Sequence, residues 1–146
     1  MEEAAPKITA EGKRLLYQFG PGLGFLATVR EDGGPRLHPV CPIIAAGGLY
    51  VFIVPSPKRE DLRRDGRCAL HCYPPEEVDD EFYVTGRATE VKDSNVRAEV
   101  AAAYHTTVDE QWTLFALDIA CCLYAKYRYR GDWPPKYTKW IAPDLV

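Results

Sequence analysis

Eleven consecutive residues, Ser56-Pro57-Lys58-Arg59-Glu60-Asp61-Leu62-Arg63-Arg64-Asp65-Gly66, carry the densest potential chemistry in this chain. Serine at an N-cap, proline at the first helical position and glycine just past the end predict a short helix over 57–65. The start of such a helix offers backbone N–H groups, a serine hydroxyl and the cations Lys58 and Arg59, a donor set suited to a phosphate. Leu62 is the only apolar residue, so core packing gives no reason for the helix. The competing reading is a connector whose mixed charges face water.

His38 sits in the extended run Arg36-Leu37-His38-Pro39-Val40. It could meet a ligand phosphate or donate a proton near neutral pH, or be an ordinary strand histidine. Pro39 and Pro42 cannot donate to a ladder, so this stretch belongs at a sheet edge or leaves backbone groups free for a ligand. Cys68 and Cys72 bracket His71, which invites a zinc reading. On a strand, however, the two thiols share one face and His71 points to the other. Cys121 and Cys122 likewise point to opposite faces, and no second half-site has zinc spacing. The odd total of five cysteines argues against a disulfide framework. We expect buried structural thiols and no metal. Glu76, Glu77, Asp79 and Asp80 read as a solvated turn, with Glu81 opening the strand that follows. No Gly-x-Ser-x-Gly, Walker or Gly-x-Gly-x-x-Gly motif is present.

The elements that would hold these residues are mostly extended. Strands are expected over 24–30, 36–44, 49–54, 68–73 and 81–91, with a last one running from Phe115 through Leu123. Asp32-Gly33-Gly34-Pro35 and Gly47-Gly48 are turn signals. Residues 49–54 are apolar on both parities, as in a strand covered on both sides. Short helices are expected after Thr9, with a stripe of Ile8, Leu15, Leu16 and Phe19, and from Asp93, with Val96, Val100 and Ala103. Closely spaced turns favour antiparallel pairing, and closing the sheet would remove its edges. The fold class is therefore mainly β: a small barrel with peripheral helices. The tail mixes Tyr124, Tyr127, Tyr129, Trp133, Tyr137 and Trp140 with lysines and arginines. Burial against the core or a second subunit is expected there rather than nucleic acid.

Composition sets the outer bounds. The 146 residues carry 18 basic and 21 acidic side chains, with 47% apolar content. That suits one globular domain over 1–146 and gives no reason to expect nucleic acid or an anionic membrane as partner. The uncharged stretch 39–57 is broken by Pro42, Gly47, Gly48 and Pro55, so it is no membrane span. Met1-Glu2-Glu3 leads into no apolar run, and a cytoplasmic location with reduced thiols is expected.

Taken in order, several of these segments resemble a known family. They are Phe25-Leu26-Ala27-Thr28-Val29, Asp32-Gly33-Gly34-Pro35-Arg36-Leu37-His38-Pro39-Val40, Leu49-Tyr50-Val51-Phe52, Ser56-Pro57-Lys58-Arg59, Asp61-Leu62-Arg63-Arg64-Asp65, Gly66-Arg67-Cys68-Ala69-Leu70 and Glu81-Phe82-Tyr83-Val84-Thr85-Gly86-Arg87-Ala88. The resemblance, over roughly residues 11–126, is to the pyridoxamine 5′-phosphate oxidase-like FMN-binding split barrels. It implies a six-stranded antiparallel split β-barrel of Greek-key type, paired as a homodimer with FMN at the interface. It further implies that His38, Pro39, Val40 and Cys41 run along the flavin ring and ribityl chain, that Ser56, Lys58 and Arg59 hold the phosphate, and that Glu81 meets the pyrimidine edge. His38 stands where the oxidase carries an arginine, and Ile53-Val54-Pro55 lacks a threonine many members have. Trp140-Ile141-Ala142-Pro143 lacks the oxidase's substrate-holding arginine. The implied activity is thus hydride or electron transfer to a small organic acceptor, without the vitamin-specific reaction and with no side chain needed as acid or base. Two alternatives stand beside it. One is a deazaflavin (coenzyme F420) reductase using a groove of Arg36, Lys58, Arg59, Arg63 and Arg64. The other is a non-catalytic flavin or haem binder, with His38, His71 or His105 as axial ligand.

Overall fold

The computed structural model describes residues 5–145. Eight strands and three helices follow one another as α1 (Pro6–Leu16), β1 (Gly24–Val29), β2 (Pro35–Val40), β3 (Ile43–Ala45), β4 (Gly48–Ile53), α2 (Pro57–Arg64), β5 (Arg67–Cys72), β6 (Glu81–Glu90), α3 (Ser94–Ala102), β7 (Thr113–Lys126) and β8 (Lys136–Ile141). All pairings are antiparallel, in the order β2-β1-β5-β6-β7-β4-β3, with β8 also on β7. The count is eight strands rather than six. The extended run expected over 36–44 breaks at Cys41-Pro42 into β2 and β3, because proline interrupts the ladder. The tail beyond Pro134-Pro135 adds β8.

The sheet curls into a half-barrel. Leu26 of β1 and Val51 of β4 lie far apart in strand order, yet both are fully buried in one core with Leu70, Val84, Phe115 and Leu117. The two end strands, β2 and β3, do not pair with each other, so the barrel stays split and both keep free edges. The proline-bearing β2 at one edge agrees with the reading of Pro39 and Pro42. β4 is covered on both faces, as expected: Leu49, Val51 and Ile53 face the barrel core, while Tyr50 and Phe52 pack beneath α3 with Val100 and Leu114.

β7 is the spine. One edge pairs with β6 throughout; the other pairs with β4 through Ala116 and with β8 from Cys121. A bulge between Thr85 and Gly86 bends this pair, and Gly86 is required there because a Cβ would collide with the Asp118 carbonyl oxygen. α1 packs on β6 and β7 through Ile8, Leu15 and Leu16. It begins at Pro6, earlier than expected, so Thr9 lies inside it and returns its hydroxyl to the Ala5 carbonyl. Phe19, expected on its buried stripe, is 42% exposed. No described helix is long and apolar enough to cross a membrane.

Candidate functional site

α2 forms where its local signals put it. Ser56 is the N-cap in extended backbone, its Oγ accepting from the Arg59 N–H at 3.4 Å and donating to the Val54 carbonyl at 2.8 Å. Pro57 has no N–H and Arg59 turns its own to Ser56, which leaves the Lys58 N–H directed out of the first turn. The phosphate-facing donors are thus fewer than the sequence suggested.

What fixes α2 is core packing after all. Leu62 is 3% exposed within the main core, and its neighbour Asp61 is 2% exposed. Asp61 Oδ2 accepts from Thr28 Oγ1 at 2.8 Å and from Arg36 Nε at 2.6 Å; its Oδ1 accepts from Arg64 Nη2 at 3.0 Å. Arg64 also donates to the Val29 carbonyl. Burial alone would raise the Asp61 pKa, but Arg36, Thr28 and Arg64 together hold it below the ordinary carboxylate value. A buried, charged carboxylate thereby bolts the helix to β1 and β2. Sequence reasoning missed Asp61, because its partners lie 33 and 25 residues upstream.

The network decides which cations remain available. Arg36 and Arg64 are on Asp61, Arg59 is on Glu60 at 3.0 Å, and Arg63 is on Glu60 and Glu90. Among the described residues Lys58 alone of these five has no carboxylate within 4.0 Å. It is half-buried, and that burial lowers its pKa. His38 is pushed below 6.5 by burial first, then by the charges of Lys58 and Arg36, so it is neutral at pH 7. By strand register His38 pairs with Leu26 and shares the inward face of β2 with Arg36. His38, Arg36, Lys58 and Asp61 therefore form one electrostatic cluster. Lys58, without a carboxylate and beside a free N–H and a histidine whose protonation it opposes, has the chemistry to meet a single phosphate.

The remaining candidates are spread apart. Val40 points into the core at 8% exposure, and Pro39 faces outward from the edge strand. Cys41 reaches Tyr104, whose phenol is pushed up to about 12 by burial and then by that thiol. Glu81 lies on the outward face of β6, its carboxylate 3.5 Å from His71 Nε2. α2 meets β6 at Glu90 through Arg63, the opposite end of that strand from Glu81 and roughly 30 Å away along it, so one chain does not bring Glu81 to Lys58. His71 Nδ1 is 2.6 Å from the Cys72 carbonyl oxygen. Hydrogen bonding to Cys72, with Glu81 adding, pushes its pKa up to about 9.

The thiols divide as the alternation required. Cys72 and Cys122 are buried, and all five cysteines are free. Among the described residues no three His, Cys, Asp or Glu side chains converge as a metal site. Asp80 departs from the solvated-turn reading: it is 1% exposed and accepts from Arg14, Lys126, Tyr124 and the Tyr127 N–H.

The principal clefts do not coincide with the candidate residues. One of about 420 Å³ opens between α1, the β3–β4 turn and the part of β7 lying between its β4 and β8 partners; Leu16, Leu49, Phe82 and Leu117 line it, with Lys13 and Asp118. Another, of about 570 Å³, touches the Asp61 network through Arg36, Pro57, Glu60 and Arg64. A site shared between two subunits would be only half-walled in one chain.

An antiparallel half-barrel, split at its edge strands and carrying a cationic helix start beside one of them, defines a split-barrel protein. The family model described as pyridoxamine 5′-phosphate oxidase matches residues 10–120, and the chain belongs to that family. Its members typically bind flavin and are often flavin-dependent oxidoreductases. No curated protein matches the chain. Among solved structures it is similar to a protein related to general stress protein 26 from Clostridium acetobutylicum, with TM-score 0.68 and 13% identity, covering 96% of this chain and 98% of that one. It is also similar to general stress protein 26 from Bacillus anthracis, with TM-score 0.61 and 20% identity, covering 96% and 100%. A haem-binding protein from Mycobacterium smegmatis matches with TM-score 0.67 and 18% identity over 88% of this chain; the match spans 57% of that longer protein. At these identities the likeness establishes the fold.

Proposed function

We propose that this chain is an FMN-binding oxidoreductase that works as a homodimer and passes hydride or electrons to a small organic acceptor. The observation that carries the reading is Lys58: a half-buried cation without a carboxylate partner among the described residues, beside neutral His38 and a free helix N–H. In this reading Lys58 and its N–H hold the phosphate, Ser56 keeps the helix start in place, and Asp61 fixes the helix on the sheet. The bound isoalloxazine ring supplies the redox chemistry. Residues 38–41, at an edge with unpaired backbone groups, are available to the ring and ribityl chain.

The surface supports a dimer. Leu37, Tyr137 and Ile141 are 65%, 50% and 38% exposed on the outward side of the sheet. The accessible area is 8481 Å², against roughly 7,500 Å² for a compact monomer of this mass. A two-fold partner laid on this side would cover it. The paired arginines weaken the deazaflavin reading, since four of its five proposed groove cations already have carboxylates. Haem is the second reading, favoured by His38 being neutral; His71 is unsuited, with both ring nitrogens engaged.

Titration of the purified protein with FMN and with haem, followed by absorbance and by sedimentation, tests this. Flavin binding at one per chain in a dimer supports the proposal, as does reduction of that flavin by a nicotinamide donor. A sharp Soret band with no flavin uptake, or a monomer that binds flavin fully, overturns it.

A further inference from the structure

The ion pairs around α2 say something about ligand charge that the FMN reading, on which this inference rests, does not contain. Five cations crowd two turns of helix and the strand beside it. Four of them have a carboxylate oxygen within 3.3 Å: Arg36 and Arg64 on Asp61, Arg59 and Arg63 on Glu60. We infer that Asp61 and Glu60 set the charge of the ligand: by compensating four arginines they leave Lys58 to meet the anion, so the site takes a phosphate monoester and discriminates against diphosphates.

The two carboxylates act with different strength. The Asp61 side chain is 3% exposed, and both its oxygens are engaged by three donors, so no incoming anion can displace it without stranding a buried charge. The Glu60 side chain is 56% exposed and sits in water, where its hold on Arg59 and Arg63 is screened. A phosphate monoester can be met by one ammonium, one N–H and a histidine able to take up a proton. A diphosphate carries more charge over a longer span and needs a second uncompensated cation. Replacing either carboxylate by its amide supplies one without changing shape.

The experiment compares inorganic phosphate with pyrophosphate, both as competitors of FMN and by direct titration followed through the Lys58 backbone amide resonance. In the wild type pyrophosphate, despite its greater charge, should bind no more tightly than phosphate. Asp61→Asn should raise the preference for pyrophosphate about tenfold, and Glu60→Gln, which leaves the buried network intact, about two- to threefold. An unchanged preference in a folded Glu60→Gln protein and in Asp61→Asn overturns the inference while leaving FMN binding untouched. Should FMN fail to bind while phosphate still moves the Lys58 amide, the flavin reading falls and the anion preference still decides this one. A Lys58 amide that responds to neither anion overturns both.

Discussion

The half-barrel has a buried carboxylate at each end, and the two are built alike. Asp61 gathers Arg36, Arg64 and the Thr28 hydroxyl; Asp80 gathers Arg14, Lys126 and the Tyr124 hydroxyl, with the Tyr127 N–H besides. At both, burial pushes the carboxyl pKa up and the donors pull it below 3.8. Each bolts a helix to the sheet, α2 at one end and α1 at the other. The difference lies in what is left over. Around Asp80, Arg14 and Lys126 are both on the carboxylate. Beside Asp61 a further cation, Lys58, remains uncompensated among the described residues, next to a histidine whose protonation it opposes. At one end the cations that meet the carboxylate are all bound to it. At the other one more cation lies beside it, and the proposed reading gives that cation to an anion.

The largest expected effect is on stability at the α2 end. Leu62→Ala should cost about 2–5 kcal/mol, read from the urea midpoint, because Leu62 is a core residue. A loss under ~0.5 kcal/mol would return α2 to a solvated connector. At the other end, Asp80→Ala strands a buried N–H and a phenol, while Arg14 and Lys126 are half exposed and stay solvated. It should cost about 2–4 kcal/mol yet leave FMN affinity of the folded protein within twofold. A parallel loss of FMN affinity would break the distinction between the ends.

The pH dependence of stability reports both ends together. Asp61 and Asp80 have lowered pKa values, so their contribution is present above the unfolded value of 3.8 and is lost as pH falls through the folded ones. His71 runs the other way: raised to about 9, it contributes fully below 6.5, and that contribution is lost as pH rises through 9. Urea midpoints should therefore be highest between about pH 5 and 6.5. Asp80→Asn and Asp61→Asn should each shrink the acid-side fall.

The smallest effect is confined to the Lys58 end. A bound phosphate offsets the charges that hold His38 neutral, so FMN binding near pH 7 should take up a fraction of a proton. Calorimetry in buffers of different ionisation enthalpy reads this, and His38→Gln should abolish it. Equal uptake by that variant would place the proton elsewhere.

These two ends also mark what a sequence can and cannot disclose. The α2 boundaries were legible because Ser56, Pro57 and Gly66 act on their own neighbours. The alternation that separated Cys68 and Cys72 from His71, and the double-sided burial of β4, followed from local periodicity. Asp61 was hidden because its role needs Thr28 and Arg36 from β1 and β2, and inside a charged helix it looked like one more solvated acid. Asp80 was hidden in the same way within an acidic run, with its partners 44 to 66 residues away. The strand count fell short because Pro42 and Pro134-Pro135 were read within or after strands rather than as the breaks between them. The cations gathered at the helix start were legible, but which of them stays unpaired depends on contacts that only the fold creates.

The most direct measurement is the affinity of Lys58→Ala for FMN set beside its affinity for riboflavin, which lacks the phosphate. A charge-assisted bond of about 1.5–3 kcal/mol predicts FMN binding weakened roughly 10- to 150-fold. Riboflavin binding should be unchanged, and urea stability should stay within about 0.5 kcal/mol. Lys126→Ala, removing a cation from the Asp80 end, should leave FMN affinity as it was. Equal FMN affinity in Lys58→Ala and wild type, or equal losses for FMN and riboflavin, would contradict the account.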